Sequence, residues 1–403
     1  MSSFASFTAT ILLAACILGT ACAARDWSWP APRAHQNAII RRADSGKLLQ
    51  NPDLRMLDNG DLAVMAAHNI YASDAVVSDI SIEWLVSHDG GVTWDAGASV
   101  PSLSPPIAGN YPRPPARLKA GTLIAVVPRH WENFADTPEQ RKELADQGYY
   151  LFTPEEGNAP GVISISRRAS VTRSRDGGKI WETKDITLPM SMPHFCCYGD
   201  GIVLRDGTFV QPMWGRFDLK KEPKYVSSLV LRTEDGGEHW DLCTIAKAED
   251  FDFNETSITE AANGDLVALM RTSMQRELWI AVSKDGGKTW SQPRDSGLLG
   301  STPWVVTTTD DLLVAVYARR ASHESGGGFA HTGTFACVSR DHGRTWDTDH
   351  QVMVFDGGGE TVDGYPAAVA LPDGSVYAVF SGPGCSFIGG ARFHPRSRDF
   401  GGK

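Results

Sequence analysis

The sequence has no surplus of positive charge: 38 Lys and Arg stand against 48 Asp and Glu, a formal charge of −10. That balance argues against a nucleic-acid partner, since neutralising phosphate needs clustered base. There is no C-x-x-C pair among the seven cysteines, so neither a zinc site nor a dithiol redox centre is expected. Long helical periodicity is almost missing. Beyond the first residues no apolar run approaches the ~20 residues that span a bilayer, so no membrane span is expected. What the chain does have is 40 Gly, 23 Pro, 12 Trp and 42% apolar residues, the composition of a turn-rich globular protein with ample core.

Residues Met1 to Ala24 carry no charge, contain the apolar run Ala9 to Leu18 and end in Ala21-Cys22-Ala23, an A-x-A pattern. This reads as a cleaved secretory signal over residues 1–23 and predicts a secreted or periplasmic protein. Leu13-Ala14-Ala15-Cys16 offers a lipoprotein box as the alternative, disfavoured because the apolar run continues past Cys16. Five cysteines then remain, Cys196, Cys197, Cys243, Cys337 and Cys385, an odd number best read as small buried hydrophobes.

One octapeptide, S/T-x-D-x-G-x-x-W, occurs five times, starting at Ser87, Ser174, Thr233, Ser283 and Ser339. Alternating with it is a second unit, two apolar strands joined by a two-residue turn. Its turns are Asn59-Gly60, Ala120-Gly121, Asp206-Gly207, Asn263-Gly264, Asp310-Asp311 and Asp373-Gly374. The turns lie 47 to 86 residues apart, room for four strands each. Six hairpins predict an all-β, six-bladed β-propeller over residues 24–403, which removes sheet edges by radial repetition. A strand near Asn37 to Arg42 is expected to complete the last blade.

The octapeptide is the Asp-box, and five of them between six such hairpins resemble the sialidase superfamily across nearly all of the mature chain. Its physical task is a turn. Asp and Ser bond backbone N–H groups, Gly takes a positive φ and Trp packs between strands. Function has to be argued from the site, because one fold hosts many activities.

If each innermost strand descends to its Gly turn, residues about nine before the turn and seven or eight after it ring one mouth, with the Asp-boxes at the far end. That register selects Asn51, Pro112, Tyr198, Glu255, Thr302 and Tyr365 before the turns. After them it selects Ala67 with His68, Pro128 with Arg129, Trp214, Arg271, Ala318 with Arg319, and Ser381. A loop of blade 1 adds Asp74. An insertion over residues 130–163 of blade 2 carries the capping box Thr137-Pro-Glu-Gln140, which predicts a short helix over the mouth, with Tyr149, Tyr150 and Phe152 available to stack on sugars.

In sialidases an N-E-x-x-x-x-E-x-x-x-G-x-L-x-x-x-x-R segment supplies a Glu that partners a tyrosine nucleophile and an Arg that binds the substrate carboxylate. The segment is intact here from Asn254-Glu255 to Arg271. The resemblance places the nucleophile at Tyr365 and the general acid/base at Asp74, with Asp79 the alternative acid. A phenol suits a sugar whose anomeric carbon bears a carboxylate, because an anionic nucleophile would be repelled, and Glu255 would take the phenol proton during attack. Sialidases depart in this way from the two-carboxylate rule of glycosidases. No metal or other cofactor is implied. Arg271, Arg319, Arg129, His68 and Trp214 are the expected substrate-binding residues.

The likeness is incomplete. The family draws its first carboxylate-binding arginine from an R-I-P element, where this chain has Gln50-Asn51-Pro52, and another from the third strand of blade 5, where His331 to Thr334 contain none. Arg319, Arg320, Arg129 and Arg113 are candidates to refill the pocket. The expected activity is a retaining exo-glycoside hydrolase acting on a terminal sugar of a glycan, sialic acid by family default, in a monomer. The alternatives are another terminal sugar (another acidic sugar or arabinofuranose), a propeller polysaccharide lyase using His68, His130, His194, Tyr198 and Arg216, or a glycan-binding protein without catalysis.

Overall fold

Six antiparallel sheets form a propeller in the computed structural model, which describes residues 36–71, 77–105, 113–127, 131–147, 149, 151, 153–156, 159–166, 169–186, 194–216, 225–272, 277–321, 329, 331–359 and 362–402. Blade 1 consists of Leu48–Met56, Leu62–Tyr71, Val77–Ser87 and Asp95–Ala96. Blade 2 consists of Ala116–Arg117, Leu123–Val127, Ala169–Ser174 and Glu182–Ile186. Blade 3 opens on His194–Cys196 and Ile202–Val203 and continues through Phe209–Arg216, Ser227–Thr233 and Asp241–Ala246. Blade 4 runs Thr256–Glu260, Leu266–Met270, Glu277–Ser283 and Arg294–Leu299. Blade 5 runs Ser301–Thr307, Leu313–Arg319, Gly333–Ser339 and Val352–Asp356. Blade 6 takes Val362–Ala370, Val376–Pro383 and Phe387–Phe393 from the end of the chain and its outer strand, Gln36–Arg42, from the beginning.

That outer strand pairs antiparallel with Phe387–Phe393 and closes the ring, as the sequence predicts. It is also tied to blade 1. Arg41 Nε donates to Glu83 Oε2 at 2.9 Å, and His68 Nε2 meets the same oxygen at 2.9 Å. Burial tends to raise the Glu83 carboxyl, but these two hydrogen bonds outweigh it and hold the group below its ordinary value.

The core lies between blades, so the middle strands are apolar on both faces. Leu266–Met270 and Leu123–Val127 are buried at every position. The outer strand Glu182–Ile186 is exposed except at its last residue. Cys197, Cys337 and Cys385 lie buried and reduced, and burial pushes the Cys337 thiol up to about 12.

The five octapeptides share one Ser/Thr–Asp–Gly turn at the end opposite the predicted mouth, and four of the five tryptophans bond back to it, Trp346 Nε1 being the exception. In the first, Ser87 Oγ donates to Asp89 Oδ1 at 2.8 Å and accepts from Gly91 N at 2.8 Å, and Trp94 Nε1 donates to Gly91 O at 3.2 Å. The turn seats against its neighbouring blade so closely that only glycine fits. A Cβ on Gly91, at φ +96°, would lie 2.0 Å from the Tyr377 ring. The neighbour also reaches across, since Arg173 Nη1 donates to Gly236 O at 3.1 Å and Arg232 Nε to Gly286 O at 3.2 Å. Five hairpin turns have Gly at positive φ. At the sixth, Asp311 takes φ +68°, a conformation short polar residues tolerate.

Blade 2 carries a separate hairpin, Trp131–Ala135 with Val162–Ser166, and the predicted helix, Pro138–Asp146. Thr137 Oγ1 accepts from Gln140 N at 3.2 Å, but Thr137 N donates to Ala135 O and the Gln140 side chain donates to Glu143, so half of the capping box forms. Leu144, Ile163 and Ile165 make a small core against which Tyr149 packs. Tyr149 is therefore part of the insertion's own packing, and Tyr150 and Phe152 lie outside the described residues. Among the described residues no helix is long and apolar enough to cross a membrane.

Candidate active site

Among the described residues, three innermost strands carry the same irregularity near their start. Asn51, Thr302 and Tyr365 adopt φ of 46°, 49° and 47°, and each precedes a proline. In each blade the pairing slips there, between Gln50 and Asp53, Ser301 and Trp304, and Gly364 and Ala367. A left-handed conformation costs a non-glycine residue about 1–2 kcal/mol, so the surroundings must enforce it. The bulge turns the side chain out of the strand's alternation.

Tyr365 is turned onto Glu255. Its phenol donates to Glu255 Oε1 at 3.0 Å, and Arg271 Nη1 donates to Glu255 Oε2 at 2.8 Å. Glu255 and Arg271 are 8% exposed and stand opposite each other at the head of blade 4, where Arg271 N donates to Glu255 O at 3.0 Å. The ladder from Thr256 to Met270 continues straight into them, which is why the spacing of 16 residues works. Asn254 Oδ1 accepts from Glu255 N at 2.8 Å and fixes the start of the strand.

Two further arginines approach. Arg320 lies over the Tyr365 ring, 4.9 Å from its centroid, and Arg113 lies over the Tyr198 ring at 5.3 Å. Arg113 Nη1 donates to Asp53 Oδ2 at 3.2 Å, both groups buried, and Asp53 Oδ1 is 3.6 Å from Arg55, which also pairs with Asp200. Asp53 thus stands just past the element where the family would have its first arginine, and it anchors an arginine arriving from the connection into blade 2. Among the described residues, Arg271, Arg320 and Arg113 stand around the two tyrosines together with the carboxylates of Glu255 and Asp53. Below the mouth is a cavity of about 260 Å³ lined by Arg55, Asp200, Ser257, Trp304, Thr307 and Ala368.

The predicted residues divide. Glu255, Tyr365 and Arg271 form one hydrogen-bonded group. Arg319 is not part of it: its guanidinium donates to Gln351 Oε1 at 2.7 Å and lies over Phe335 at 4.2 Å in blade 5, and donates to Leu299 O at 3.0 Å at the end of blade 4. Its neighbour Arg320, one position past the strand, turns inward instead. His68 is 5% exposed and pairs with Glu83 at the seam of blades 1 and 6, apart from the Tyr365–Glu255–Arg271 group. Trp214 is half-buried near the upper end of blade 3. Asp74 and Arg129 lie outside the described residues. The Asp53–Arg113 pair was not legible from spacing, because its partners are 60 residues apart, one in the first strand of blade 1 and the other in the connection into blade 2.

This fold and this group of residues define a propeller of the sialidase superfamily. The chain belongs to the BNR repeat-like domain family, whose profile matches residues 144–378. A curated sialidase of Bacteroides fragilis is 26% identical over 213 residues, 49% of this chain and 37% of that protein, so the chain spans well under half of its relative's length. Among solved structures, a Dyadobacter fermentans protein of unknown function superposes with a TM-score of 0.67 at 22% identity, over 89% of this chain and 98% of that one. The NanB sialidase of Streptococcus pneumoniae superposes with a TM-score of 0.60 at 13% identity, over 90% and 71%. At these identities the structural likeness speaks for the fold alone.

Proposed function

We propose that the chain is a secreted, retaining exo-glycosidase that removes a terminal acidic sugar, sialic acid first among them, from glycans. The observation that carries this is the Tyr365–Glu255–Arg271 group: a phenol on one carboxylate oxygen and a guanidinium on the other. Arg271 fixes the carboxylate and leaves Oε1 to the phenol. As Tyr365 Oη bonds to the anomeric carbon, its proton passes to Glu255 and the glycosidic bond breaks. Asp74 is the proposed donor of a proton to the leaving oxygen. Asp74 then takes a proton from water, whose oxygen displaces Tyr365 as the phenol recovers its proton from Glu255. Two inversions give retention. The guanidinium groups of Arg271, Arg320 and Arg113 gathered around Tyr365 and Tyr198 suit a substrate carboxylate, which arginine matches bidentately.

A lyase is less well supported. Its candidate base His68 is committed to Glu83, and Tyr198 is buried with its hydroxyl bonded to backbone. The test is hydrolysis of a panel of fluorogenic glycosides carrying sialic acid, a uronic acid, arabinofuranose and neutral sugars. Release from the sialoside, abolished in Tyr365→Phe, supports the proposal. Turnover of arabinofuranoside alone moves the substrate and keeps the mechanism. Unsaturated product absorbing in the ultraviolet would replace it with elimination.

A further inference from the structure

Tyr198 takes no part in the chemistry proposed above, yet it touches both bulged strands that face it. It projects from blade 3 across the mouth and is 4% exposed. Its hydroxyl donates to Thr302 O at 3.1 Å, with Pro366 O as a second acceptor at 3.5 Å. Thr302 is itself one of the left-handed residues, and Pro366 directly follows another, Tyr365. One proton therefore serves the two bulges of blades 5 and 6. The Tyr198 ring lies 5.8 Å from the Tyr365 ring, tilted by 59°, and edge-on to Trp304 at 6.1 Å. Trp304 Nε1 in turn donates to Ala368 O at 3.0 Å, two residues past Pro366. On its remaining side lies Arg113, held by Asp53. Burial, and then the Glu255 charge, push this phenol well above its ordinary value, which keeps it a neutral donor while its neighbour ionises.

We propose that Tyr198 is the positioning residue of the nucleophile: a cross-axis clamp whose hydroxyl holds the left-handed starts of blades 5 and 6 and whose ring sets the tilt of Tyr365 towards Glu255. A strained backbone persists only where its surroundings over-determine it. Here the determining contact comes from a blade separated from Tyr365 by nearly half the chain, so the nucleophile is aimed only once the propeller has closed.

The assignment of Tyr365 as nucleophile is needed for the kinetic part of the test and not for the structural part. Tyr198→Phe keeps the ring and removes the shared proton. In that variant kcat is expected to fall about 10- to 100-fold with KM within about threefold of wild type, a split that general destabilisation of the fold would not produce. In protein carrying ¹³Cζ-labelled tyrosine, the Tyr365 signal, assigned by its loss in Tyr365→Phe, is expected to move and to titrate differently in Tyr198→Phe, and likewise in Glu255→Gln. A wild-type Tyr365 signal in folded Tyr198→Phe overturns the clamp whatever the activity. Absence of turnover on every glycoside, with the Tyr365 signal displaced, overturns the glycosidase and leaves the clamp standing. If Tyr198→Phe does not fold, the wild-type hydroxyl decides: slow proton exchange at Tyr198, seen as a resolved deuterium isotope shift on Cζ, supports the clamp, and rapid exchange overturns it.

Discussion

The phenol of Tyr365, in the last blade, donates to the carboxylate of Glu255, in the fourth, at 3.0 Å across 110 residues of chain. The same carboxylate receives Arg271 on its other oxygen. Neither partner is the hydrogen-bonding default of its strand, since Tyr365 points there through a left-handed bulge. Such an arrangement is what a phenol needs to lose its proton during attack.

Tyr365→Phe and Glu255→Gln are expected to lower kcat about 10³-fold or more. Tyr365→Phe keeps its ring and should leave the melting temperature within about 5 °C, whereas Glu255→Gln leaves the buried Arg271 guanidinium without its partner charge and should cost more stability. Steady-state kinetics beside calorimetric melts check this. Full activity in Tyr365→Phe would remove it from the chemistry.

Arg320→Gln is expected to raise KM for a carboxylate-bearing glycoside about 10- to 100-fold, the loss of one charge-assisted hydrogen bond worth about 1.5–3 kcal/mol. A neutral glycoside should respond far less. Arg319→Gln, by contrast, should leave KM unchanged and cost some stability, since its guanidinium is spent on Gln351 and Phe335. Equal effects of the two on KM would contradict the placement.

Gly91→Ala strikes the seam between blades 6 and 1. The added Cβ would meet the Tyr377 ring at 2.0 Å with φ +96°, and Tyr377 Oη would lose its geometry to Gly91 O, now 3.1 Å. A loss of about 2–4 kcal/mol in denaturant unfolding is expected. Gly60→Ala, with nothing within 4 Å of its Cβ, should cost less.

Acid should unfold the propeller partly through its turns. For Asp285, burial raises the carboxyl but hydrogen bonds from the Thr289 hydroxyl and N–H and from Ser283 outweigh it, lowering the group to about 2. Asp89 is held low by the Thr93 hydroxyl and N–H. A carboxyl whose folded value lies below its unfolded value near ~3.9 stabilises the fold above that value and loses the contribution as pH falls. Melting temperature is thus expected to fall between about pH 4 and pH 2 on account of these groups. Asp285→Asn should flatten that slope, and an unchanged slope would count against it.

Much of this architecture was legible in the sequence because it repeats. Ser87-His-Asp89-Gly-Gly91-Val-Thr-Trp94 fixes its own turn through short-range bonds, and the Gly turns fix register, so blade count and mouth could be read locally. The 16-residue spacing from Glu255 to Arg271 is a hairpin property and survived for the same reason. Arg319 and His68 fell on the right strands but committed to neighbours, because alternation tells which face a residue takes and not which partner it finds. The clamp at Tyr198 and the Asp53–Arg113 pair join different blades, and only closure of the ring brings them together.

The most direct measurement is to trap the reaction with a fluorinated glycoside of whichever sugar the panel identifies and to map the adduct by mass spectrometry. A glycosyl group on the peptide containing Tyr365, absent from Tyr365→Phe and slow to form in Glu255→Gln, is the expected result. Turnover with the adduct on any other residue would contradict the account.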